Sequence, residues 1–191
     1  MATGLDDLKS PIFWRALFAE VIGTLFLTFI GCGSCIGWGA QDGEPSIVQI
    51  ALCFGLAVAT MVWAIAHISG GHINPAVTLG LLVTRKVSLI KAIFYVIAQC
   101  VGAVIGAGAL KGLTPPSVQG SLGATGINPS LSQGQGFGVE FMVTFVLVLT
   151  VFASCDDKRT DLNGSAPLTI GLSVTLCHLF AVSILLSIDF W

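Results

Sequence analysis

The pair Asn74-Pro75 can place a fixed hydrogen-bond donor at the start of a helix. Asparagine is a preferred N-cap residue, and proline suits the next position because its missing N–H would be unpaired there in any case. If the Asn74 side-chain oxygen caps the helix, its NH₂ group must point outward, offering two donors at the positive end of the helix dipole. The alternative is an ordinary capped surface helix, since Asn-Pro alone is a common pair.

A glycine-rich segment precedes this pair and can supply matching acceptors. Gly70, Gly71, His72 and Ile73 follow an apolar stretch, and adjacent glycines disfavour a helix there. Irregular backbone in this segment would present a row of carbonyl oxygens. Donors beside a row of acceptors would bind a single file of water and orient each molecule, while the helix dipole would oppose cations and protons.

The composition indicates that lipid is the solvent around these residues. Of the 191 residues, 54% are hydrophobic and only 9% are charged, whereas a soluble domain carries about 25% charged residues. No run of one charge sign indicates a nucleic-acid partner. We therefore expect water and the lipid bilayer as partners.

A membrane-spanning helix needs about 20 mainly apolar residues, and the sequence contains five candidate stretches. They run over residues 13–37, 47–66, 89–110, 137–154 and 167–186. The segment 75–83, between the second and third stretches, would span roughly 14 Å as a helix, about half of the hydrocarbon core. Irregular backbone followed by a half-length helix predicts a re-entrant segment, which survives only where protein or a wet cavity surrounds it.

The distribution of basic residues predicts the orientation in the membrane. Basic residues lie before or at the start of the first stretch, between the second stretch and the start of the third, and in the connection after the fourth, with Lys111 as the one outlier. These residues are Lys9, Arg15, Arg85, Lys86, Lys91, Lys158 and Arg159. The amino terminus is therefore expected in the cytoplasm, and the glycine-rich segment would enter from that side.

An internal repeat relates the two halves of the sequence. The Glu-x-x-x-Thr pattern at 20–24 returns at 140–144, and Gly-Leu-x-Val at 55–58 returns at 171–174. The copies lie three stretches apart, an odd number, so they have opposite orientations in the membrane. Inverted repeats of this kind build many transporters and channels around a central site.

Two further groups of residues leave alternatives open. Glu20 and Glu140 are acids inside apolar stretches, which indicates either a functional site or acceptors for the backbone N–H groups of irregular loops. Cys32-x-x-Cys35 fits either redox or metal chemistry or small apolar residues in a helix. No nucleophile–base pair or other metal-ligand spacing is evident. We expect no enzyme activity, no cofactor and no metal.

Residues 67–80 read His-Ile-Ser-Gly-Gly-His-Ile-Asn-Pro-Ala-Val-Thr-Leu-Gly and resemble the first signature loop of the aquaporin (major intrinsic protein) family. The stretches 95–108, 134–140 and 164–174 are similar to later parts of its animal water-selective members. The resemblance implies an all-α membrane protein, an aquaporin-like inverted-repeat helical bundle with five spans and one re-entrant half-helix. It also implies assembly as a tetramer with one pore in each subunit.

The resemblance assigns three sets of pore residues. The central constriction and the carbonyl ladder beside it are Asn74, Pro75, Ala76, Gly70, Gly71, His72 and Ile73. Phe54 and His178 match the aromatic and histidine positions of the outer selectivity filter, and this histidine is typical of narrow, water-selective members. Glu20 and Glu140 match the acids that support the irregular loops.

The sequence departs from the family after residue 182. The repeat offset, 171 − 55 = 116, places the counterpart of Asn74 at position 190, where Phe190 stands. The second half-helix and the sixth span are then missing. We expect one incomplete domain over 1–191, made of a first repeat at 13–111, an extracellular connection at 112–134, a partial second repeat at 135–182 and a divergent tail at 183–191.

Two functions follow as expectations. The first is passive water transport by an aquaporin-type channel of the plasma membrane, assembled as a homotetramer. The second is a non-conducting form that associates with full-length aquaporins and alters their assembly or trafficking.

Overall fold

The computed structural model describes residues 4–38, 45–124, 126–161 and 165–185. Position 190 and most of the expected tail at 183–191 lie outside these residues. The helices are α1 (Pro11–Gly33), α2 (Ile47–Ser69), α3 (Pro75–Val83), α4 (Leu89–Leu113), α5 (Gln133–Ser154) and α6 (Ala166–Leu185), with short 3₁₀ turns at Leu5–Lys9 and Pro116–Val118. No strand occurs in the described part of the chain, which agrees with the all-α prediction.

Within the described residues, four helices are long and apolar enough to cross a membrane: α1, α2, α4 and α5. They correspond to the first four expected stretches. α6 lies at the position of the fifth, but its apolar part, Ala166–Val182, is shorter. Large apolar side chains point outward along these helices, including Val104 at 73% and Phe137 at 71% exposed, as expected of helices whose outer faces contact lipid.

α3 has the bounds predicted for the half-length helix, and local chemistry explains them. The Asn74 side-chain oxygen accepts the N–H of Ala76 at 2.7 Å, and Pro75 is the first residue of the helix. The nine residues of α3 span roughly 14 Å at the standard rise. α3 lies against α4 and α5, so protein holds it on two sides.

The long helices meet in close crossings that require glycine. α1 packs against α2 and α4, and both α2 and α5 pack against α6. A Cβ atom on Gly106 of α4 would lie 2.4 Å from the Leu25 carbonyl oxygen of α1, and a Cβ on Gly171 of α6 would lie 2.4 Å from the Gly55 oxygen of α2. Only glycine lets these backbones approach so closely.

The most deeply buried large side chains are mostly polar. The five largest that are fully buried are Tyr95, Ile50, Gln99, Glu20 and Thr78. Four of these five carry a polar group, and burying such a group costs free energy unless it is hydrogen-bonded. The partners of these four residues lie around the loop between α2 and α3.

Candidate functional site

The loop between α2 and α3 has backbone conformations that regular structure does not use. Gly70 and Gly71 have φ angles of 94° and 63°, and Ile73 has a φ of 39°. Glycine adopts positive φ readily, but a β-branched residue there is strained by about 1–3 kcal/mol. Ile73 is nevertheless only 4% exposed, so the surrounding groups must hold it in place.

The carboxylate of Glu20 holds this loop. Its Oε1 accepts the Ser69 hydroxyl at 2.6 Å and the His72 N–H at 3.0 Å. Its Oε2 accepts the Ile73 N–H at 2.7 Å and the Gln99 amide at 2.8 Å. Hydrogen bonds to a charged group contribute about 1.5–3 kcal/mol each, so together they outweigh the strain at Ile73. Glu20 therefore joins α1 to the loop and to α4.

A second layer of hydrogen bonds surrounds this carboxylate. The Thr78 hydroxyl donates to the Asn74 carbonyl at 3.1 Å and accepts from the Gln99 amide at 3.0 Å. His72 Nδ1 lies 3.1 Å from the same hydroxyl oxygen. Because the Thr78 proton is already engaged, His72 Nδ1 must donate in this contact. The network thus fixes the tautomer as well as the position of the His72 ring.

Two cavities meet at Asn74. Its side-chain oxygen is used by the cap of α3, so its NH₂ group is the part left to meet other partners. The smaller cavity has a volume of about 280 Å³ and is lined by Asn74, Glu140, Thr144 and His178 together with apolar side chains. The fixed amide donor is therefore accessible from a space large enough to hold water.

The larger cavity is elongated. It has a volume of about 570 Å³ and is bounded by residues 70–74, by mainly apolar side chains of α1, α2, α3, α5 and α6, and by Lys86 and Val87 in the connection between α3 and α4. Ala166 and His178 both line it, and they are twelve residues apart on α6, so the cavity extends along roughly 18 Å of that helix. A long, mainly apolar space with the irregular backbone of residues 70–74 on its wall suits the passage of small polar molecules.

The rings of Phe54 and His178 stack at the wall of this cavity. Their centroids are 4.5 Å apart and their planes are inclined by 26°. His178 Nδ1 lies 2.9 Å from the Val174 carbonyl oxygen, which can only accept, so Nδ1 carries a proton and Nε2 is left for other partners. Gly31 makes room for the Phe54 ring, because a Cβ atom there would lie 2.4 Å from it.

Glu140 has different surroundings from Glu20, its counterpart in the repeat. Glu140 is exposed and lines the smaller cavity. Among the residues that the structure describes, none donates a hydrogen bond to its carboxylate. Of the two acids that the sequence suggested as loop supports, only Glu20 contacts loop N–H groups in the described structure.

Charged residues collect at the end of the bundle where α3 ends and α4 begins. The Ser88 hydroxyl donates to the Asp7 carboxylate at 2.7 Å, and the Lys86 ammonium lies 5.4 Å from the centroid of an aromatic ring of α5. In the connection after α5, Arg159 donates two hydrogen bonds to Asp161, at 2.8 and 3.2 Å. These bonds lower the pKa of the exposed Asp161 carboxyl below its usual value. The basic residues used to predict orientation therefore share one end of the molecule.

The sequence patterns single out Glu20 and Asn74 but miss three residues of the loop network: Ser69, Thr78 and Tyr95. The Tyr95 hydroxyl donates to the Ser69 carbonyl at 2.7 Å. Two signals were present in the sequence. Tyr95 is the one tyrosine of the chain and lies in an apolar stretch, and Thr78 follows Asn74 by one helical turn, which places both on the same face.

The described residues contain no cluster of side chains typical of a metal site. No three His, Cys, Asp or Glu side chains among them lie together in a way that could hold a metal ion. Cys32 and Cys35, the pair with redox or metal spacing, are free thiols.

Comparisons with known proteins agree with the architecture. The backbone is similar to the X-ray structure of the aquaglyceroporin from Plasmodium falciparum, with a TM-score of 0.78 and 25% sequence identity over 88% of this chain and 72% of that chain. The helical membrane fold inferred from the sequence is thus confirmed.

The sequence itself has many relatives. It is 54% identical to aquaporin-4 of Mus musculus over 173 residues, which cover 90% of this chain and 54% of that protein. It is 44% identical to aquaporin FA-CHIP of Pelophylax lessonae over 186 residues, covering 93% of this chain and 68% of that protein. The chain spans about half the length of the aquaporin-4 proteins that it matches.

A match to a protein family covers most of the chain. Residues 7–185 match the description "Major intrinsic protein", and this range covers almost all of the described structure. Membership of that family places the apolar helices in a membrane that the chain crosses several times. The chain therefore belongs to the major intrinsic protein family, as the resemblance of its loop at residues 67–80 suggested.

Proposed function

We propose that this chain forms a pathway for passive water transport across a membrane. The observation that carries the proposal is the position of Asn74, whose amide is fixed by the cap of α3 and meets an elongated cavity beside residues 70–73. Water passing this point would accept from the amide and donate to loop carbonyls, so each molecule would be reoriented at the start of α3. The positive end of the α3 dipole would disfavour cations there.

A second selective point is proposed at Phe54 and His178. Their stacked rings form part of the cavity wall, and His178 Nε2 can exchange hydrogen bonds with passing water. An imidazole ring leaves less space than a small side chain would, which favours water over larger solutes. Similarity to proteins named aquaporins supports the same function.

Osmotic shrinkage of reconstituted vesicles tests this function. The full 191-residue chain is placed in proteoliposomes and light scattering is recorded after an osmotic step. We expect faster shrinkage than in empty vesicles or in vesicles containing an equal amount of an unrelated helical membrane protein. Equal rates in all three preparations would show that this chain does not conduct water.

A second candidate function is that of an interaction subunit that binds longer members of the family. It is favoured by the outward face of α5, where Phe137, Phe141 and Phe145 are 71%, 57% and 54% exposed and adjacent ring centroids are 6.3 and 6.5 Å apart. Such an aromatic ridge can pack against another subunit. Co-expression of the tagged chain with a full-length aquaporin tests the idea, and failure of the two to co-purify would rule it out.

The proposal includes a homotetramer in the plasma membrane with the amino terminus in the cytoplasm. The collection of basic residues at one end of the bundle supports this orientation. An epitope tag at the amino terminus of the expressed chain should be reached by antibody only after cells are permeabilised. Antibody labelling of the tag on intact cells would show that the amino terminus lies outside the cell.

A further inference from the structure

Cys32 and Cys35 lie where α1 ends, in a turn that brings them together. The helix ends at Gly33, and the Cys35 N–H donates to the Cys32 carbonyl at 3.0 Å. A hydrogen bond across four residues closes a tight turn, in which the first and last Cα atoms are less than about 7 Å apart. The Cα atoms of a disulfide are about 4.4–6.8 Å apart, so this backbone geometry is compatible with a bridge.

The loop that follows the second 3₁₀ turn packs against both cysteines. Gly123 has a φ of 75°, and a Cβ atom on it would lie 3.1 Å from Cys35 Cβ and 3.2 Å from Cys32 Cα. Because both atoms are close to this one point, they are also close to each other. Both cysteines are partly exposed, so a small reagent can reach them beside the loop.

Cys53 of α2 is a third thiol at this end of the bundle. Its Sγ lies 3.7 Å from the Ile30 carbonyl oxygen, which is one turn before the end of α1. The Cys32 thiol acts on the Cys35 thiol more strongly than Cys53 does. Cys32 is therefore the nearer partner of Cys35, and Cys53 provides a neighbouring thiol for comparison.

We propose that Cys32 and Cys35 form a redox-active dithiol, which a small organic disulfide converts into an intramolecular disulfide. The thiolate of one cysteine attacks the organic disulfide, forms a mixed disulfide and releases one thiol. The other cysteine then attacks the protein sulfur of that mixed disulfide and releases a second thiol. Two electrons pass from the pair to the oxidant, and the two cysteine protons end on the two released thiols.

This modification site is separate from water transport and does not depend on it. With the amino terminus in the cytoplasm, as proposed, α1 ends on the extracellular side, where disulfides form and persist. Cβ atoms three residues apart on a helix are about 5–6 Å apart, more than the about 3.8 Å found in a disulfide. Cys35 lies beyond the last residue of α1, so the turn can tighten without breaking the helix.

The environment of Cys35 predicts how the oxidation depends on pH. Burial raises the pKa of the Cys35 thiol to about 11, and Cys32 and Cys53 are the titratable groups that act on it among the described residues. Residues 119–124, which pack on the pair, contain no titratable side chain. The thiolate is the attacking form, so oxidation should be slow at neutral pH and should accelerate by up to about tenfold per pH unit.

Counting free thiols before and after oxidation tests the proposal. The purified full-length chain in detergent is incubated with oxidised glutathione at pH 7, 8 and 9, then denatured and alkylated with N-ethylmaleimide. Intact mass spectrometry counts the alkylated cysteines, and peptide mapping of the unaltered chain identifies the bridged pair. Cys32→Ser and Cys35→Ser each remove one proposed partner, and Cys53→Ser is the matched control because it removes the neighbouring thiol.

We expect alkylation of all six cysteines in the reduced chain and of four in the oxidised chain, with full alkylation restored by dithiothreitol. Cys53→Ser should still lose two alkylation sites on oxidation, whereas Cys32→Ser and Cys35→Ser should lose none. A bridge that includes Cys53, a glutathione adduct that does not close to a bridge, or six alkylated cysteines after oxidation at pH 9 would each overturn the proposal. Because no flux is measured, a chain that fails to conduct water can still give the expected result.

Discussion

The Oε2 atom of Glu20 lies 2.7 Å from the backbone nitrogen of Ile73, a residue 53 positions away along the chain. This bond holds a β-branched residue at a φ of 39°, a conformation that it would leave without support. Gly23, one turn after Glu20, leaves space for the Ile73 side chain, since a Cβ atom there would lie 2.6 Å from Ile73 Cγ2. α1 thus shapes the loop through one acid and one glycine.

The first prediction concerns the charge of this acid. Glu20→Gln replaces one acceptor oxygen with an NH₂ group that faces the donors already present. Two of the four donors would lose their partner, at about 1–3 kcal/mol each, so the free energy of unfolding should fall by roughly 2–6 kcal/mol. The effect is measured by heating Glu20→Gln and the unaltered chain in detergent and recording the fraction of each that remains monodisperse.

Glu140→Gln is the matched control for this prediction. It makes the same chemical change at the equivalent repeat position, where no described residue donates to the carboxylate. Its thermal stability should stay within about 0.5 kcal/mol of the unaltered chain, as for most exposed substitutions. Equal destabilisation by both substitutions would contradict the view that, among the described residues, Glu20 and not Glu140 supports a loop.

The half-helix was predictable from sequence because its signals are local. An N-cap asparagine followed by proline defines the start of α3, and the predicted bounds 75–83 are the observed ones. The network around the loop was not predictable in the same way. Ser69, Thr78 and Tyr95 belong to three helices, and which of them meet depends on how those helices pack. Threonine in a helix is uninformative by itself, because it often bonds to its own backbone.

The second prediction separates the two roles of Asn74. Asn74→Asp keeps an oxygen that can cap α3 and places a negative charge at its positive end, so thermal stability should be nearly unchanged. It also replaces the NH₂ donors with acceptors, so water permeability should fall. Asn74→Ala removes the cap too and should lower stability by about 1 kcal/mol.

Proteoliposome shrinkage and thermal denaturation of the same two preparations measure these effects. If the amide orients water, Asn74→Asp and Asn74→Ala should both conduct less water than the unaltered chain. Only Asn74→Ala should also be less stable. If Asn74→Asp conducts water as fast as the unaltered chain, the Asn74 amide takes no part in water transport.

The repeat illustrates a limit of sequence reasoning. The matching Glu-x-x-x-Thr patterns at 20–24 and 140–144 suggested one role for both acids. A motif specifies the side chain and its position on a helix, but the donors around it come from other elements. The loop, α2 and α4 supply them to Glu20, while Glu140 faces a cavity. The motif therefore does not specify which donors each carboxylate meets, and the loop-supporting role of Glu140 stays a prediction.

The third prediction uses two glycines of α4 that are two residues apart. A Cβ on Gly106 would lie 2.4 Å from the Leu25 carbonyl oxygen, whereas a Cβ on Gly108 would meet nothing within 4 Å. Gly106→Ala should therefore destabilise the chain by about 1–3 kcal/mol through overpacking. Gly108→Ala should stabilise it by up to about 1 kcal/mol, because alanine is the better helix former. Thermal denaturation of both variants in one detergent checks the difference in sign, and a loss in both would refute the close crossing of α1 and α4.

The fourth prediction concerns the stacked pair of Phe54 and His178, whose ring centroids are 4.5 Å apart. His178→Ala removes one ring from the cavity wall and should widen the passage, so permeability to glycerol should rise several-fold relative to permeability to water. Leu179→Ala is the control, because Leu179 is the next residue of α6 and is 42% exposed. Both permeabilities are measured by light scattering on proteoliposomes matched for protein content. The pair limits solute size only if the ratio changes in His178→Ala and not in Leu179→Ala, since a general loosening of α6 would alter both.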